Sequence, residues 1–135
     1  MPYKLAKIEG IGESYSQKLN EIGFTTTDHL LEHGATPEGR KAIVEKSGLS
    51  DKLILRWVNM ADLFRIKGIG EEYSDLLEAA GVDTVVELAQ RVPENLILKI
   101  QAAQAEKKLV RRVPSIKQVT KWVEQAKTLP RVVTY

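Results

Sequence analysis

Apolar residues recur along this chain at spacings of three and four rather than two, which predicts helices from end to end. The pattern places them near residues 3–9, 13–22, 27–33, 37–47 and 51–66, then near 71–80, 84–91, 93–112 and 116–128, with Pro130 closing the series. Local punctuation agrees. Pro37 and Pro93 stand where a first helical turn needs no N–H, and Ser50 and Ser115 are good N-caps. Thr84-Val85-Val86-Glu87 has the form of a capping box, while Gly23, Gly48 and Gly81 sit where a left-handed residue ends a helix. The last segment, 131–135, is too short to assign; it docks as an extended arm or frays.

The helices belong to an internal repeat. Ile8-Glu9-Gly10-Ile11-Gly12-Glu13-Ser14-Tyr15-Ser16 lies over Ile66-Lys67-Gly68-Ile69-Gly70-Glu71-Glu72-Tyr73-Ser74, an offset of 58, and Leu5, Leu19, Gly23, Thr26 and Leu30 find partners at the same offset. Further on, Ser50, Trp57, Val58 and Ala61 lie over Ser115, Trp122, Val123 and Ala126 at offset 65. The second copy has therefore gained seven residues, about two helical turns, which leaves the phase of its flanks nearly unchanged. The expected division is 1–60 for the first copy, 61–130 for the second and 131–135 for a tail. The helix around 51–66 closes one copy and opens the next, so both should pack as one pseudo-symmetric all-α domain.

Two glycines around one isoleucine let a chain reverse within three residues, with Ile11 or Ile69 plugging the space beneath. Ser16 and Ser74 are small where the joined helices cross. This arrangement, apolar-x-Gly-apolar-Gly with a small residue four further on, resembles the helix-hairpin-helix family, and the likeness extends through Leu19–Thr26 and Leu77–Thr84. As a whole the chain resembles uncharacterised bacterial proteins built from two such units. The resemblance implies two tandem helix-hairpin-helix repeats, with hairpin amides that hold a DNA phosphate without reading sequence. Carried over, the contact residues are Gly10, Ile11 and Gly12, and Gly68, Ile69 and Gly70. DNA-binding members often carry Pro-Lys or Arg after the second glycine; here Glu13-Ser14 and Glu71-Glu72 follow it. Carboxylates at a helix N-terminus satisfy the dipole themselves and repel an incoming phosphate. Lys18 could compensate in the first copy, whereas the aligned residue in the second is Leu76.

Charge sharpens the picture. The 135 residues carry 20 Lys and Arg against 18 Asp and Glu, a net of only +2. By segment the balance is 0 over 1–60, −5 over 61–98 and +7 over 99–135. Lys107, Lys108, Arg111 and Arg112 would form one stripe at the end of the helix after Pro93, with Lys99, Lys117 and Lys121 as outliers. The stripe either contacts phosphates or pairs with the acidic second hairpin or a second chain.

Other chemistry is sparse. With no cysteine, disulfides, thiolate metal sites and Cys nucleophiles are excluded. His29-Leu30-Leu31-Glu32-His33 matches an inverted zinc-protease pattern, yet the aligned residues are Glu87, Gln90 and Arg91, a polar face, so no metal is expected. Trp57 and Trp122 read as repeated core anchors, and Tyr15 and Tyr73 as rings covering each hairpin's edge. No phosphate-binding loop, catalytic triad or dinucleotide fingerprint is present, so neither an enzyme nor a cofactor is expected. No leader or membrane span is evident and the cytoplasm is the default. Two functions remain open: a sequence-nonspecific nucleic-acid-binding module, and a protein-interaction or self-association module that kept the fold without the DNA contacts.

Overall fold

The computed structural model describes residues 3–135. Among them a 3-10 turn, Leu5–Lys7, precedes eight α-helices: α1 (Glu13–Glu21), α2 (Thr27–Gly34), α3 (Pro37–Ser47), α4 (Asp51–Leu63), α5 (Glu71–Ala79), α6 (Val85–Ala89), α7 (Pro93–Lys107) and α8 (Ile116–Thr128). The described residues hold no strand, only an isolated antiparallel bridge between Lys4 and Thr26. The chain divides into two units, one of Met1–Asp62 with Val132–Tyr135, the other of Leu63–Arg131.

Each unit is organised around its closing helix. On α4, Ile54, Trp57, Val58 and Ala61 are buried, a spacing of three and four that puts them on one face. Val119, Trp122, Val123 and Ala126 of α8 repeat that face at offset 65, and all four are buried. Burial of each of Ile54, Val58, Val119 and Val123 contributes roughly 1.5–3 kcal/mol, more than any local propensity in helices this short. Each indole also meets a tyrosine from the helix after the glycine turn: Tyr15 and Trp57 have ring centroids 5.1 Å apart at 59°, Tyr73 and Trp122 5.1 Å at 55°. The tyrosines thus pack against the core tryptophans, and the tilted geometry is the favoured one for aromatic pairs.

Side-chain caps begin several helices. Thr26, Thr36, Thr84 and Ser115 accept from the amides of His29, Gly39, Glu87 and Gln118 at 3.0–3.3 Å. The complete capping box is at Ser115, whose own N–H donates to Gln118 Oε1 at 2.9 Å. At Thr84 only half of the expected box forms, because the Glu87 carboxylate turns instead to Arg91 at 2.9 Å.

Four helices are shorter than the pattern predicts by three residues or more, among them the one expected over 84–91, which spans only Val85–Ala89. Residues 3–9 yield only the 3-10 turn, because Tyr3 and Lys4 are committed to an extended pairing with Thr26 and Thr27, including Thr27 N–H to Tyr3 O at 2.8 Å. The helix expected over 51–66 stops at Leu63. The helix expected over 93–112 stops at Lys107, and its cause bears on the site.

Candidate functional site

The two glycine turns have the same backbone. Gly10 and Gly68 have φ of +94° and +95°, and each turn is closed by the isoleucine amide three residues after an isoleucine carbonyl, Ile11 to Ile8 and Ile69 to Ile66, both 3.1 Å. Ile11 and Ile69 are buried beneath. Gly12 and Gly70 are then the N-caps of α1 and α5, and having no side chain they cap nothing. The first-turn amides of α1 and α5 are therefore left without the hydroxyl acceptor that α2, α3, α6 and α8 receive. Such a helix start favours an anion, and Glu13, Glu71 and Glu72, all exposed, already supply negative charge there.

Lys18 does not join the first turn. It lies in the last turn of α1, exposed, about 7.5 Å along the helix axis from Glu13. The cation that reaches this turn is Arg56 of α4, whose Nη1 donates to the Glu9 carbonyl at 2.8 Å. One signal in the sequence pointed to it: a basic residue precedes the repeated tryptophan in both copies, Arg56 in one and Lys121 in the other.

The basic stripe is rearranged. At Lys108 the backbone turns left-handed, φ 50° and ψ 53°, while its N–H still bonds to Gln104 O at 2.8 Å. The Gln104 side chain then takes over the backbone of Val110, Nε2 donating to its carbonyl at 2.5 Å and Oε1 accepting its N–H at 3.0 Å. Val110 is buried, and Pro114 bars helix at Val113, so residues 108–115 cross from α7 to α8 without helical structure. Lys107 ends α7, and Lys108, Arg111 and Arg112 project from this segment rather than from one helical stripe. All four are exposed, and among the described residues none has a carboxylate within ion-pairing distance.

The segment rests against the second glycine turn. Tyr73, in the first turn of α5, donates its hydroxyl to the Arg112 carbonyl at 3.3 Å. On the other side, the Gln125 side chain of α8 accepts the Lys67 N–H at 3.0 Å, and Trp122 Nε1 lies 3.2 Å from where a β-carbon on Gly68 would be. Lys117 and Lys121, exposed on α8, belong to the same unit. The acidic side of that unit has a different cation: Arg91 pairs with Glu87 and donates to Gly81 O, both at 2.9 Å. Burial, then the neighbouring charge of Glu87, raises the Asp83 carboxyl above its ordinary range.

His29 and His33 serve local structure. His29 Nδ1 lies 3.2 Å from the Thr25 amide, which donates to it, and the His33 ring stacks on Phe24 at 5.0 Å and 19°. No group of three or more His, Cys, Asp or Glu among the described residues is placed to hold a metal. A groove of about 520 Å³ in the first unit is lined by Pro37, Arg40, Lys41, Val44, Glu45, Asp51 and Leu55; its charges are mixed and favour no anion. Among the described residues no helix is long and apolar enough to cross a membrane.

No significant match was found among curated proteins or among solved structures. A family profile described as "Domain of unknown function (DUF4332)" matches residues 9–129, from the first glycine turn to the end of α8, and the chain belongs to that family.

Proposed function

We propose that this protein is a non-catalytic, sequence-nonspecific nucleic-acid-binding module of tandem helix-hairpin-helix type that engages the phosphate backbone mainly through its second unit. The observation that carries the reading is the segment after α7. Lys107 at the end of α7 and Lys108, Arg111 and Arg112 after it are four exposed cations with no carboxylate in ion-pairing distance among the described residues, and the Arg112 carbonyl bonds to Tyr73 in the first turn of α5. The unit whose hairpin is acidic thus also carries four exposed cations, together with first-turn amides after Gly70 that have no side-chain cap. The repeated Gly-Ile-Gly turns and their resemblance to helix-hairpin-helix units supply the expected mode, phosphate contact without base readout.

A second reading, a protein-interaction module, is favoured by Glu13, Glu71 and Glu72 at the two helix starts, where they repel phosphate. Fluorescence anisotropy of labelled duplex and single-stranded oligonucleotides, titrated from low to physiological salt, separates the two. Neutralising about four phosphates gives a log–log salt slope near −4 on duplex, and changing Lys107, Lys108, Arg111 and Arg112 to Ala flattens it. Absence of binding at low salt rejects the nucleic-acid reading and leaves the protein-interaction one.

A further inference from the structure

We propose that the segment Val132–Tyr135 is a strap that completes the first unit. The chain leaves that unit at Asp62, builds the second unit through Arg131, and returns to the first with Val132–Tyr135. Val133 is only 3% exposed, the Thr134 N–H donates to Ala35 O at 2.8 Å, and the Tyr135 hydroxyl donates to Asn59 Oδ1 at 3.0 Å.

Arg40 is the clasp. Its Nη1 donates to the carbonyls of Gly34 and Ala35 at the end of α2, 2.9 and 3.1 Å, and its Nη2 donates to Thr134 O at 2.6 Å. The guanidinium carbon also lies 5.6 Å from the centre of the Tyr135 ring, a cation–π contact. One side chain thus ties the orphan carbonyls of a helix C-terminus to the arriving strap. Asn59 is itself buried, so an absent strap removes a hydrogen bond from an amide with little access to water.

The stability of α2, α3 and α4 therefore depends on residues that follow α8 in sequence. The second unit needs no part of the strap, since its residues end at Arg131.

Hydrogen exchange read by peptide mass spectrometry on the 135-residue chain tests this. Thr134→Pro deletes the amide and the hydroxyl that bond to Ala35 O, and Tyr135→Phe deletes the hydroxyl that donates to Asn59 while keeping the ring. The expected result is exchange about tenfold faster or more across 27–63 in Thr134→Pro, a smaller change of the same sign in Tyr135→Phe, and unchanged rates across 85–128. Wild-type rates across 27–63 in Thr134→Pro overturn the proposal, and so does equal acceleration of both units.

Discussion

Arg56 Nη1 lies 2.8 Å from the point where a β-carbon on Gly10 would stand, and the same nitrogen donates to the carbonyl of Glu9. The glycine is required twice over. Its φ of +94° is hostile to any L side chain, and the space a side chain needs is taken by the guanidinium that closes the turn.

Gly10→Ala should therefore cost about 2–3 kcal/mol: roughly 1–2 for the backbone and about 1 for the displaced Arg56 hydrogen bond. In an Arg56→Ala background only the backbone cost remains, so urea unfolding of the double-mutant cycle should give a coupling of about 1 kcal/mol. Equal costs in both backgrounds would show that Arg56 does not close the turn. At Gly68 the obstruction is the buried indole of Trp122, 3.2 Å away, and Gly68→Ala should cost about 2 kcal/mol on the same scale.

Lys108 trades stability for charge. A lysine at φ 50° carries a backbone cost that glycine lacks, so Lys108→Gly should raise stability by about 1 kcal/mol. It also deletes one of the four cations, and the salt slope of duplex binding should fall by about 1. Chemical denaturation and anisotropy on one preparation read both effects. A stabilised variant with an unaltered slope would remove Lys108 from the interface.

Gln104 holds the basic segment in place. Its amide makes both hydrogen bonds to Val110, and Gln104→Ala should cost about 1–3 kcal/mol and open the bonds after Lys107, Lys108, Arg111 and Arg112 to trypsin. The test is limited digestion with mass analysis of the first products. A resistant segment would mean that Val110 burial alone fixes it.

The helices and the repeat were legible because they rest on periodicity and on glycine, both of which are local. Ile54, Trp57, Val58 and Ala61 announce a buried face by their spacing, and offset 65 finds its twin on α8. The end of α7 was not legible, since Lys107 to Arg112 are compatible with helix by propensity. What stops the helix is a glutamine side chain capturing the backbone six residues on, together with the constraint of Pro114. The docking sites of Arg56 and of the C-terminal arm were not legible for a related reason: Glu9 and Ala35 lie 47 and 99 residues from their partners. Although the repeat marks Arg56 and an extended arm is one expectation, no spacing rule names what either would meet. The acidic hairpin read in isolation argued against phosphate. The bond from the Tyr73 hydroxyl to the Arg112 carbonyl, which ties the segment after α7 to α5, is likewise long-range and could not be read from spacing.

Glycine N-caps at α1 and α5 forgo a stabilising hydroxyl. Gly70→Ser should therefore stabilise the protein by a few tenths of a kcal/mol, its hydroxyl accepting a first-turn amide. If those amides bind phosphate, the same change occupies them and weakens oligonucleotide binding while the four cations remain. Thermal melting and anisotropy should then move in opposite directions. Unchanged affinity would confine phosphate contact to the cationic segment.

Asp83 gives the protein an acid-side signature. Burial and the charge of Glu87 raise its carboxyl above the ordinary 3.8, so between that value and the raised one the native state holds more protons than the unfolded chain. Stability contributed by this group is thus present at low pH and is lost as pH rises through the window. At neutral pH the charged Asp83 is a net liability. Asp83→Asn removes the charge and the repulsion of Glu87 while keeping an oxygen for the local backbone bond, so its melting temperature should exceed wild type at pH 7. The gap should narrow as pH falls and close below about pH 3.8, where the wild-type carboxyl is neutral in both states. Melting curves of the two proteins at pH 7 and pH 3 provide the check; a gap of the same size at both would mean that the substitution acts through packing and not through charge.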